Sequence, residues 1–248
     1  MRGSTIGRSL FVALLAVTCC ATLSASPIFG SFDFAGTITA TLDTITWTNN
    51  NAAQTPDQAT IGTLATGSFA GVLASGDLIA INDLNRTAEP VFSPDHIFTP
   101  AQNFITFDAA TGLPTLMINQ IFSGIHPNTQ CDMAPAAGQV CTTGPPVSPF
   151  NFVNNSGLSC CQATASFGFS GVTADGLSQW EVNFTSQFNV PFQTLLAQLS
   201  SEGSVTNTFS ATVLVAPITG VPEPGPATLM GLGLGLVVLS AGLRRRLS

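Results

Sequence analysis

Gly36-Thr37-Ile38-Thr39-Ala40-Thr41-Leu42-Asp43-Thr44-Ile45-Thr46-Trp47-Thr48 is the stretch that decides the fold class. Thr37, Thr39 and Thr41 alternate with Ile38, Ala40 and Leu42. Period two puts successive side chains on opposite faces of a strand, and β-branched Thr and Ile favour that conformation. After Asp43 the phase flips. Ile45 and Trp47 become the apolar face, with Thr44, Thr46 and Thr48 outward. One strand cannot exchange its faces in this way. A bulge, a sharp bend or a turn is expected near Asp43.

The same period runs through the rest of the chain. Ala163, Ala165, Phe167 and Phe169 alternate with Thr164, Ser166 and Gly168, and Trp180, Val182 and Phe184 with Glu181 and Asn183. Gly171 to Gly176 separates these two strands as a hairpin connection. Val205, Asn207, Phe209, Ala211, Val213 and Val215 form a third alternating face. Further strands are expected over Thr60–Leu64, Ser68–Leu73, Leu78–Ile81, Asn103–Phe107, Thr115–Ile121 and Pro149–Val153. Phe192, Leu195, Leu196 and Leu199 follow i, i+3, i+4, i+7 and predict one short helix, opened near Pro191 and stopped by Gly203. Residues 82–100 and 126–148 read as long loops. Many short strands between Gly, Pro and Asn predict an all-β body at 26–215, a sandwich or jelly roll with one short helix. No internal repeat of fixed period is visible, which argues against a solenoid.

Charge excludes one class of partner. The chain has no lysine, and between its two ends Arg86 stands alone against twelve acidic residues, so the body carries about −11. Nucleic-acid binding needs clustered cations to neutralise phosphates, and this body has none. Four cysteines lie in one window: Cys131, Cys141, Cys160 and Cys161. An even number in an exported chain reads as two disulfides. Three connectivities are open. The preferred one joins Cys131 and Cys141 to the Cys160-Cys161 pair, because an adjacent-cysteine ring is strained. Zinc is the rival reading, and the absence of a Cys-x-x-Cys pair weighs against it.

Both ends carry addresses. Arg2 and Arg8 precede the apolar run Leu10 to Leu23, and Ala25 is a small residue at a cut site, so 1–25 reads as a signal peptide. At the other end, a linker at 216–221 leads to Pro222, Glu223 and Pro224. The uncharged run Ala227 to Leu243 follows, then Arg244, Arg245 and Arg246. As a helix that run spans about 25 Å, at the short end of bilayer-crossing length. The three arginines favour the cytoplasmic side, leaving the body outside.

This three-part tail resembles the PEP-CTERM sorting signal over residues 222–246, with a transmembrane helix at 227–243. The resemblance covers about a tenth of the chain. It implies recognition and cleavage by an exosortase, and export across the inner membrane of a Gram-negative bacterium that makes exopolysaccharide. The protein is then a membrane-anchored precursor that becomes a cell-surface or extracellular product. The same tail also carries the label of an ice-binding protein C-terminal domain, which describes the tail's company and not this body's activity.

No catalytic residue, cofactor or metal is assigned. His96 and His126 are the only histidines, and no Gly-x-Ser-x-Gly, His-Glu-x-x-His or phosphate loop appears. His96 follows Asp95, but sequence neighbours do not make an acid–base dyad. A hydrolase would need carboxylates converging in a cleft, and Glu181 lies on the polar side of a strand. Asp77, Asn82, Asp83 and Asn85 could offer oxygens to calcium, although turn chemistry explains them more cheaply. Thr37, Thr39, Thr41 and Thr206, Thr208, Thr212 form outward rows that invite an ice or glycan surface. The first row ends after three residues at the phase flip, so exposed β-propensity is the simpler account. The sequence therefore points first to a non-catalytic surface or matrix protein, then to a carbohydrate- or ice-binding module, and last to a secreted hydrolase.

Overall fold

Residues 26–51, 54–85, 97–144, 148–155 and 162–218 are described by the computed structural model. The signal peptide, the sorting tail, His96 and the Cys160-Cys161 pair lie outside the described residues. Among the described residues, no helix is long and apolar enough to cross a membrane.

The body is almost entirely antiparallel β. Its strands are β1 (Gly30–Thr41), β2 (Thr44–Thr48), β3 (Gln58–Ala65), β4 (Leu78–Ile81), β5 (Leu84–Asn85), β6 (Ile97–Thr106), β7 (Leu116–Ile121), β8 (Val140–Cys141), β9 (Asn151–Asn155), β10 (Gln162–Thr173), β11 (Ser178–Phe188) and β12 (Ser204–Pro217). One helix, α1 (Phe192–Glu202), links β11 to β12. The sheet order β11-β12-β1-β3-β4-β6-β7-β10 returns to its start because β10 also pairs with β11. This makes an eight-stranded closed barrel, and it corrects the expected sandwich or jelly roll. Alternation identifies which residues turn inward. It does not say whether a sheet meets a second sheet or its own first strand.

The expected break at Asp43 is a hairpin. Leu42 and Asp43 join β1 to β2 without any residue at positive φ. The Thr41 hydroxyl takes the place of the usual glycine device: its Oγ1 accepts from the N–H groups of Asp43 and Thr44, at 3.1 and 2.8 Å. β1 changes neighbour along its length. Phe32 to Ala35 pair with β3, and Thr37 to Ala40 pair with β2. Gly36 sits at the changeover, where an added Cβ would lie 2.6 Å from the Thr48 carbonyl oxygen and 2.8 Å from the Phe209 ring. β10 does the same, pairing with β9 over Gln162–Ser166 and with β7 over Phe169–Thr173.

Aromatic side chains fill the interior. Trp47, Phe34, Phe167, Phe169, Phe184 and Phe209 are buried, and Phe184 has five ring neighbours with centroids 4.8 to 5.7 Å away. An eight-stranded barrel has just enough room for side chains, and here aromatics occupy it. Both tryptophans belong to this core, as their inward phase predicts: Trp47 is 0% and Trp180 2% exposed.

Away from the Gly30 end the wall splits into two arms, β2-β1-β12 and β11-β10-β9-β8, and α1 packs against β12, β10 and β9. Phe192 and Leu195 of α1 are buried with Cys131, Cys141 and Ala163 in a second small core. The helix begins after Pro191 and ends at Gly203 in the left-handed conformation, as its sequence predicts. Its first N–H, on Phe192, is capped from another strand by Asn154 Oδ1 at 2.9 Å.

Two further expectations are corrected. Ser68–Leu73 is not a strand. A 3₁₀ turn at Gly67–Phe69 and a left-handed Gly71 bend the backbone, and only Phe69 and Leu73 point inward. Cys131 and Cys141 do not reach out to Cys160-Cys161; they bond to each other, with Cα atoms 5.1 Å apart. A 3₁₀ turn at Asn128–Gln130 brings Cys131 back beside β8, against Cys141 ten residues on.

Candidate functional site

The hairpin at Asp43 produces a surface that the sequence pattern conceals. β2 turns back beside β1 in register, pairing Thr46 with Thr39 and Thr48 with Thr37. On the other side β12 places Thr206 opposite Thr39, Thr208 opposite Thr37 and Ser204 opposite Thr41. The Thr41 and Thr44 hydroxyls lie 2.9 Å apart and close the third row. Nine hydroxyl residues thus form three rows across three adjacent strands: Thr44-Thr41-Ser204, Thr46-Thr39-Thr206 and Thr48-Thr37-Thr208. None is buried, and Thr206 and Thr208 are exposed. Farther along β12, the Ser210 hydroxyl lies 3.0 Å from that of Thr185 on the neighbouring β11.

Several of these hydroxyls hold one another. Thr39 Oγ1 and Thr206 Oγ1 are 2.8 Å apart, and Thr37 Oγ1 donates to Asn50 Oδ1 at 3.4 Å. A β-branched side chain on a strand already has few rotamers. The lateral contacts restrict these further, and Ile38, Ile45, Trp47 and Phe209 anchor the opposite face of the same three strands in the core. The array contains no ionisable group.

β2 is fastened on its outer side as well. Asp83 Oδ1 accepts from the Trp47 N–H at 3.0 Å. Desolvation at this contact raises the Asp83 pKa above its ordinary value; the Trp47 hydrogen bond lowers it, and the neighbouring Asp57 raises it further.

The other candidates do not converge. Asp77 accepts from the Ala74 N–H at 2.7 Å within its own turn, Asn82 donates through Nδ2 to the Asn103 carbonyl, and Asp83 accepts from the Trp47 N–H, so these three side chains serve separate backbone contacts. His126 is half-buried, with its backbone N–H donating to Thr142 Oγ1. Glu181 is exposed on β11. Among the described residues, no three His, Cys, Asp or Glu side chains lie together as metal ligands would. An apolar cavity of about 60 Å³ lies between α1 and the split end of the barrel, against Ile38, Phe167, Leu195 and Val205, with Thr41, Ser186 and Asn207 as its polar members. It is far below the several hundred Å³ of an ordinary small-molecule site.

No protein family, curated protein or solved structure matches this chain. The alternating pattern shows the Thr rows of β1, β2 and β12 separately but not their adjacency on one face. The signal was present: two Thr rows of opposite phase, separated by two residues, stand side by side on one face if those residues form a hairpin.

Proposed function

We propose that this is an exported, non-catalytic protein of the cell surface or extracellular matrix, sorted and processed by an exosortase. The observation that carries this reading is the ordered tail of Pro222, Glu223 and Pro224, the apolar run 227–243, and Arg244, Arg245 and Arg246. In this reading the apolar run holds the precursor in the inner membrane with the arginines inside. Cleavage near the motif then releases the body to the surface, where exopolysaccharide is the neighbouring material. Two properties of the body support the reading: a disulfide, which suits an oxidising compartment, and a net charge of about −11, which favours solubility there. Deleting Val221 to Ser248 tests it. The intact protein should fractionate with the envelope and surface and carry a processed C-terminus by mass spectrometry, whereas the truncated one should appear free in the periplasm. Retention of the truncated protein in the same fraction would sink the sorting claim.

A second reading, a binding module on the same scaffold, is favoured by the hydroxyl array. The notion of a glycan platform loses its aromatic component, since both tryptophans are buried.

A further inference from the structure

The geometry points to a binding site for one unbranched alkyl chain with a neutral polar head, entered at the split end of the barrel between α1 and the β1–β2 hairpin. The inference is independent of the sorting signal and of the hydroxyl rows.

The inner part of the site exists because two paired strands part. β11 and β12 are paired from Ser178–Pro217 to Thr185–Ser210; beyond that the ladder ends and α1 covers the opening. The cavity left beneath it is lined by Ile38, Phe152, Phe167, Phe188, Leu195 and Val205 among others. Its polar members already have partners in the wall. Ser186 Oγ donates to the Thr208 carbonyl at 2.7 Å, Asn207 Nδ2 donates to Ser186 Oγ at 2.9 Å, and Thr41 Oγ1 accepts from the Thr44 N–H at 2.8 Å. A buried water needs about two to four polar partners, and this surface of carbon is better matched by an apolar group.

Size selects a chain end. The cavity of about 60 Å³ is roughly twice one water molecule's share of the liquid, whereas a cavity that admits benzene is about 150 Å³. A ring is therefore too large. The rest of the chain has a place outside. Leu196 and Leu199 of α1 line both the cavity and an outer groove of about 440 Å³, and both are half-buried. A change of rotamer there joins the two spaces, which together reach the size of an ordinary small-molecule site. Leu42, 65% exposed at the hairpin tip, gives the groove an apolar lip.

Charge selects the head. Asn128, Thr143 and Ser200 bring amide and hydroxyl groups to the groove, and Asp132 a carboxylate. Among the described residues, no cation lines either space. A fatty acid or a phosphate-headed lipid would set its anion beside Asp132, on a body of about −11. An alcohol or amide head meets no such repulsion.

Isothermal titration calorimetry of the exported, disulfide-bonded protein with the 1-alkanols from hexanol to decanol tests the site. One alkanol should bind per protein, with affinity rising about fourfold per added methylene. Ala40→Ile fills the cavity from β1 and should weaken decanol binding at least about tenfold, while Ala80→Ile on the outer face of β4 should leave it unchanged. Thermal melts verify that both variants fold. In the wild type alone, nuclear Overhauser contacts should link the decanol methyl to the rings of Phe152 and Phe167. Decanoate should bind at least about fivefold more weakly than decanol at low ionic strength, and Asp132→Asn should narrow that gap. Absence of saturable alkanol binding overturns the inference. Binding that survives Ala40→Ile, or methyl contacts outside the cavity, overturns the assignment to this site. Decanoate bound as tightly as decanol overturns the neutral head, and none of these results touches the sorting test.

Discussion

At its Gly30 end the barrel closes on itself around stacked aromatics; at its Thr41 end the wall divides into two arms bridged by α1 and a disulfide loop. The same two long strands, β1 and β10, run through both regions, so the contrast lies in what each region buries. The closed half buries rings against rings, Phe167 stacked on Phe184 at 4.9 Å among them. In the split half, the side around α1 buries few large side chains and relies on constraint. Cys131–Cys141 fixes the loop before β9. From that loop Gln139 accepts from Asn154 and Gln193, at 3.3 and 2.8 Å, while Asn154 caps α1. Apolar area stabilises in proportion to its size, whereas covalent and polar constraints stabilise chiefly by limiting alternatives. The split half is therefore where small changes should loosen one region without dissolving the whole.

The comparison breaks most visibly at Phe184. Phe184→Ala should destabilise the whole body by about 3–5 kcal/mol, since the cavity it leaves is ringed by side chains that cannot all collapse. Urea denaturation followed by circular dichroism would measure it, and a loss under 1 kcal/mol would mean the rings are not the main support. Replacing Cys131 and Cys141 together by serine should cost about 2–3 kcal/mol, the chain-entropy value for a loop of this length. Hydrogen exchange should rise first in α1 and β8–β9 while the barrel amides stay protected. Uniform exchange would remove the distinction between the halves. Asn154→Ala should cost about 1–2 kcal/mol, because it uncaps Phe192 and removes the donor to Gln193 Oε1, while Gln139 keeps its bonds to Ala136 and Gln193. Its effect should shrink in the serine double variant if the two devices hold the same segment.

Asp83 sharpens the comparison at the seam. Its folded pKa is raised, so the folded state holds that proton more tightly than the unfolded state, and stability falls as pH rises through the window just above the ordinary carboxylate value. Asp83→Asn keeps an oxygen for the Trp47 N–H and removes the charge. It should stabilise at pH 7 by well under 1 kcal/mol, given the solvent exposure of this residue, and have no effect near pH 3. Equal effects at both pH values would show that the charge is irrelevant.

Much of this architecture was legible in the alternating pattern. The faces of β1, β10, β11 and β12, the helix with its Pro191 and Gly203 limits, and the break at Asp43 all follow from local spacing. Closure did not, because the pairing of β1 with β12 and of β7 with β10 is a long-range choice that period two leaves open. Ser68–Leu73 misled for a local reason: Gly67 and Gly71 at positive φ outweighed an apolar run. The disulfide misled because window length says nothing about the 3₁₀ turn that folds Cys131 back onto β8. The hydroxyl array was half legible. Its residues were visible, but their adjacency depended on reading the phase flip as a hairpin.

One feature of the core sets how such experiments can be read. The chain has two tryptophans and no tyrosine. Trp47 packs on Phe184 at 4.8 Å and Trp180 stacks on Phe104 at 5.9 Å, so both indoles sit within the aromatic interior. Intrinsic emission therefore reports the aromatic interior, and α1 and the disulfide loop, which carry no tryptophan, are optically silent. A fluorescence melt that lags behind the loss of helical signal would record the split end letting go while the lamp inside the barrel still burns in a dry environment.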